Sequence, residues 1–87
     1  MSITVELTYD MAKALGAPRF DVDAADTVRD IVRQAEQRFA PTGESFDRLT
    51  RVTAIAVNGV LVNYRKGMKT RLVDGDRVAF VKAAAGG

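Results

Sequence analysis

The sequence has no cysteine and no histidine among its 87 residues. Without cysteine there is no disulfide framework, no thiolate nucleophile and no thiolate metal site. Without histidine the commonest general base and the commonest metal ligand are also missing. Catalysis would fall to carboxylates, lysine or tyrosine alone, and no paired-carboxylate cleft is visible, so an enzyme in its own right is the least supported class. Long apolar runs are absent too. None approaches the roughly 18 residues needed to cross a bilayer, and the opening "MSITVELTYD" lacks a basic-then-apolar signal region. The expectation is a soluble, cytoplasmic protein. Charge of one sign is scarce. Thirteen Lys and Arg against eleven Asp and Glu leave a formal charge of +2. The charges are interspersed, which argues against nucleic-acid or membrane binding.

The chain is 47% hydrophobic and 28% charged, a composition that folds rather than staying disordered. Its length suits one domain with a small core. "SITVELTY" alternates strictly, with Ile3, Val5, Leu7 and Tyr9 on one face, and reads as a half-buried strand. "DMAKALG" is a loop or a single helical turn. "RFDVD" alternates again and predicts a second strand, hairpinned to the first. In "ADTVRDIVRQAEQRFAP" the period changes. Val28, Ile31, Val32, Ala35 and Phe39 form one stripe of a helix. Thr27 is placed to cap it, with Asp30 in a capping-box position and Pro41 closing it. Arg29, Arg33, Gln37 and Arg38 on the other face read as solvated surface, because Asp30 and Glu36 interrupt the basic run.

Beyond the helix, Phe46 and Leu49 in "TGESFDRLTR" suit one anchoring helical turn. "VTAIAV" predicts an inner strand, Asn58-Gly59 a type I′ hairpin turn, and "VLV" the returning strand. "NYRKGMKTR" is a polar connection. Its Arg65, Lys66, Lys69 and Arg71 read as a solvated loop rather than an anion site. "DGD", Asp74 to Asp76, is a turn rather than a metal site, because Gly75 lies between the acids. "RVAFV" is the last strand, with Val78 and Phe80 on one face and Ala79 and Val81 on the other. The order strand, strand, helix, then three strands predicts an α+β fold. It is a mixed four- to five-stranded sheet with one main helix on one face, the β-grasp arrangement. The first and last strands lie side by side in its middle. Residues 1–82 make the domain, and 83–87 a flexible C-terminal tail ending Gly86-Gly87.

Three stretches carry a family resemblance: "DTVRDIV", "VNGVLV" and "LVDGDRVAFVKAAAGG". In this order they resemble the ThiS/MoaD group of ubiquitin-like sulfur carriers. The resemblance implies a substrate protein rather than an enzyme, or a small non-catalytic synthase subunit. A ubiquitin-activating-type enzyme would use ATP to adenylate the carboxylate of Gly87. Sulfur would then displace AMP and leave a thiocarboxylate. That group would be passed to a sulfur-accepting synthase, or to a larger synthase subunit, with molybdopterin biosynthesis the first assignment. No cofactor or metal is expected on the chain itself. Ala85, Gly86 and Gly87 would enter the partner. Glycine without Cβ and slim alanines suit a narrow channel, and five extended residues reach about 17 Å. Leu61 and Val81 match family partner-binding positions, on an apolar patch facing away from the helix. Ordinary strand packing is the alternative for both.

The chain departs from the MoaD pattern at Lys82 and Ala83, where a proline pair is usual, and at Thr8, where an aromatic is common. The acceptor therefore stays open between molybdopterin, thiamin, cysteine and secondary metabolites. A ubiquitin-like modifier joined to target lysines is a further alternative. A β-grasp interaction module with an inert tail is another.

Overall fold

The computed structural model describes residues 1–83, so the expectations for Ala84 to Gly87 lie outside the described residues. Five strands form one mixed sheet in the order β2-β1-β5-β3-β4. β1 (Ile3–Glu6) pairs antiparallel with β2 (Arg19–Val22) and parallel with β5 (Arg77–Lys82). β5 also pairs antiparallel with β3 (Thr53–Val57), which carries the short β4 (Val60–Leu61). The first and last strands thus lie together in the middle, as the β-grasp arrangement requires.

The main helix covers one face. Helix α2 (Val28–Phe39) buries Val28, Ile31, Ala35 and Phe39, four of the five residues in the stripe its periodicity predicts, and Val32 at the margin of the stripe is half-buried. They meet Ile3, Val5, Val22, Val57, Val78 and Phe80 from the sheet. Each large side chain so buried contributes roughly 1.5–3 kcal/mol. At the helix start, Asp30 Oδ2 accepts the N–H groups of Asp26 at 2.9 Å and Thr27 at 3.2 Å. These two bonds, with Arg33 nearby, hold the Asp30 carboxyl below its ordinary value of 3.8. A depressed carboxylate stabilises the fold above its unfolded pKa, and that contribution is lost as pH falls through the folded value. Acid-unfolding curves of wild type and Asp30→Asn should therefore converge below about pH 3.8, with the variant the less stable at neutral pH. A constant offset at all pH values would remove this role.

Two segments are more ordered than the sequence suggests. "DMAKALG" is helix α1 (Tyr9–Leu15), of seven residues, rather than a loop or one turn. Thr8 Oγ1 accepts the Met11 N–H at 3.2 Å, and Gly16 closes the helix at φ 86°. The helix is too short for periodicity to show, and the caps together with buried Met11 hold it. The polar connection after β4 contains two 3₁₀ turns, Val62–Tyr64 and Gly67–Lys69. Thr70 is buried, its hydroxyl donating to Gly67 C=O at 2.7 Å. Thr70 C=O accepts the Val28 N–H at 3.1 Å, supplying a partner to the open end of α2. Helix α3 (Phe46–Thr50) is the anticipated turn. Its Phe46 ring stands 5.5 Å from Phe39 and 6.2 Å from Phe80, centroid to centroid.

Asn58 and Gly59 both have positive φ, 51° and 85°, as the type I′ turn demands. Of the helix arginines, Arg38 is not merely solvated. Its guanidinium lies 4.4 Å from the Phe20 ring centroid and donates to Asp21 C=O at 3.2 Å. An arginine thereby closes the outer edge of β2, which blunts that edge against pairing.

Candidate functional site: the open sheet face and the root of the tail

Side chains alternate along each strand, so the residues between the core positions form the opposite face of the sheet. Register aligns them in rows. Glu6 pairs with Arg19 on one side and Ala79 on the other. Ala79 pairs with Ala56, and Ala56 with Leu61. Ala54 and Val81 form the next pair toward the tail. Three inner positions of this face are therefore alanine. Of these, Ala56 and Ala79 line a depression of about 510 Å³ whose walls include Leu61, Val81, Glu6 and Arg77, and Ala54 does not reach it. Leu61 is half-buried and Val81 is 37% exposed. Phe80, between Ala79 and Val81, points into the core and is 3% exposed.

The charged wall is a pair. Arg77 Nη2 lies 3.2 Å from Glu6 Oε2. Both groups are substantially exposed, so the pair contributes at most about 1 kcal/mol. Its effect is to shape the rim. Asp74 and Asp76 do not face this depression as ligands. Asp74 Oδ1 accepts the Ser2 N–H at 2.7 Å, Asp76 Oδ2 the Val73 N–H at 2.8 Å, and Asp76 Oδ1 the Asn58 Nδ2 at 2.9 Å. Their oxygens serve the turn that leads into β5, which is the turn reading of "DGD".

The tail begins beside this face. β5 pairs with β3 as far as Lys82 opposite Thr53, and Ala83 N–H then donates to Val52 C=O at 2.8 Å. Leu61 and Val81 do share the face away from α2. Ala85, Gly86 and Gly87 lie outside the described residues. The alanine floor of Ala56 and Ala79 and the Glu6–Arg77 wall are site residues that the sequence reading does not single out. The signal for the floor was available in "TAIAV" and "VAFV", where small residues alternate with large ones.

The ThiS family model matches residues 11–87. The chain belongs to the ThiS family. No relative among curated protein sequences matches it. Among solved structures, it is similar to small archaeal modifier protein 1 from Methanosarcina acetivorans at 19% identity, with TM-score 0.78, covering 99% of this chain and 96% of that one. It is similar to the Amycolatopsis orientalis BexX/CysO complex at 25% identity and TM-score 0.73, covering 98% and 99%. A complex of subunits 1 and 2 of molybdopterin-converting factor from Helicobacter pylori matches at 24% identity and TM-score 0.64, covering all of both chains. These likenesses establish the ubiquitin-like β-grasp fold of this ThiS family member, and two of the similar structures are complexes with a partner. Among the described residues no helix is long and apolar enough to cross a membrane.

Proposed function

We propose that this ThiS family protein is a cytoplasmic sulfur carrier and not itself an enzyme. The observation that supports this most is the family match, which runs through Gly86 and Gly87. A carboxylate is a poor electrophile because its charge repels nucleophiles. An adenylating enzyme using ATP would join the Gly87 carboxylate to AMP. Sulfide-level sulfur would then attack the acyl carbon and expel AMP, leaving a thiocarboxylate. A synthase, or a larger synthase subunit, would take the sulfur for a small-molecule precursor. Because one similar structure is a molybdopterin-converting factor, the molybdopterin precursor is the first acceptor to assay. The chain needs no cofactor of its own for this role.

In this reading the partner docks on the open face, and Ala85, Gly86 and Gly87 enter its active site. Leu61 and Val81 supply apolar contact, with Glu6 and Arg77 in the polar rim. Leu61→Asp should weaken binding to the adenylating enzyme about 30-fold, the loss of one apolar anchor, with an unchanged circular dichroism spectrum. Equal binding by titration calorimetry would exclude Leu61 from the interface. Intact-mass spectrometry of the protein from its native host tests the carrier role itself. One oxygen-to-sulfur exchange at the terminus is the expected form. A branched lysine adduct in its place would make the chain a modifier.

A further inference from the structure

Three exposed apolar side chains meet where the chain leaves the sheet. Tyr9 is 77% exposed, Val52 55% and Val81 37%. All three line one groove of about 390 Å³, and Lys82, the last residue of β5, also lines it. They come from separate parts of the chain. Tyr9 opens α1, Val52 stands one residue before β3, and Val81 lies in β5. Single apolar residues scattered over a surface are ordinary, whereas several gathered in one hollow mark a contact surface.

Local structure turns these residues outward, and none is part of the core. On a helix, residues two apart point about 200° from each other, so burying Met11 in α1 exposes Tyr9. In β5 the alternation that buries Phe80 turns Val81 away. Val52 C=O accepts the Ala83 N–H at 2.8 Å, which ties Val52 to the first residue of the tail. Val81 also lines the depression on the open face, so the two hollows meet at this residue. Asp10 and Lys82 give the groove one charge of each sign. It therefore selects neither sign, and apolar contact is what it offers.

The occupant follows from position. Five extended residues span at most about 17 Å, so Gly87 lies no farther than that from Lys82. A protein acting at Gly87 must bring its own surface up to the root of the tail, where the groove lies. We propose that the groove of Tyr9, Val52 and Val81 is a docking site for an aliphatic or aromatic side chain of the adenylating enzyme, continuous with the open face. This rests on the carrier reading, in which such an enzyme takes the tail. Tyr9 is the anchor, because a large aromatic at the centre of a contact carries much of its energy. Leu49 and Phe80 reach the groove from the core side and back it with packed apolar surface.

The test is titration calorimetry of the full chain against the host's adenylating enzyme without ATP, so that docking is read apart from chemistry. Tyr9→Ala should weaken binding at least about tenfold, and Tyr9→Ala with Val52→Ala at least about 30-fold. Both side chains are exposed, so the circular dichroism spectrum should not change. Tyr64→Ala is the control. Tyr64 is 81% exposed but lines neither hollow, and its loss should leave binding unchanged. Full-strength binding by the double variant would overturn the proposal, as would an equal loss in Tyr64→Ala or no binding by the wild type. Intact mass of the wild type separates this result from the carrier reading. Sulfur loading together with undiminished docking by the double variant would end the groove proposal alone. Docking that the double variant weakens, on a chain that never acquires sulfur, would end the carrier reading and leave the groove standing.

Discussion

Deleting Gly87 should leave the domain folded and lower thiocarboxylate formation by at least about 100-fold. Removing one residue withdraws the terminal carboxylate by roughly 3.3–3.6 Å. A displacement of even about 1 Å at a reacting centre can cost on the order of 10² in rate. The loss should fall on turnover rather than docking, because Leu61 and Val81 are untouched and lie in the folded part of the chain. Pyrophosphate release and intact mass, measured with the host's adenylating enzyme and ATP, separate the two terms. A truncated chain loaded as well as the full one would end the carrier reading.

The second large effect is on stability. Phe39→Ala should lower the melting temperature by more than about 12 °C. Phe39 is fully buried at the end of α2. Its ring packs on Phe46, and Phe46 packs on Phe80, so one side chain ties the main helix to α3 and to β5. Truncating such a residue costs about 3–5 kcal/mol. A domain of this size is worth only some 5–10 kcal/mol in all, and each kcal/mol moves the midpoint by about 4–8 °C. Thermal unfolding followed by circular dichroism is the measurement. A shift under about 5 °C would show that the site collapses around the gap and that the aromatic chain is not what joins these elements. Phe39→Leu should retain most of the stability, because it keeps the apolar volume near the strand.

Much of the fold was legible because its signals are local. Alternation at Ile3, Val5, Phe20, Val22, Val78 and Phe80 marked the strands, and all six are buried. The spacing of Val28, Ile31, Ala35 and Phe39 marked the helix, and Asn58-Gly59 marked the hairpin. Helix α1 escaped this reading because seven residues with one buried side chain show no period. Its stability comes from caps at Thr8 and Gly16, whose effect is visible only when their bonds are seen. The loop of residues 63–71 escaped for another reason. Its order depends on Thr70 reaching the first turn of α2, more than forty positions earlier in the chain, and composition carries no record of so distant a partner.

The candidate site divides the same way. From the sequence alone came the family resemblance, the Gly86-Gly87 pair, and the opposition of Val81 to Phe80 along one strand, since each is a matter of residue identity or of period two. Only the tertiary structure decided which alanines lie together. Ala56 and Ala79 become one floor through the β3–β5 register, and register is set by pairing between strands more than twenty residues apart.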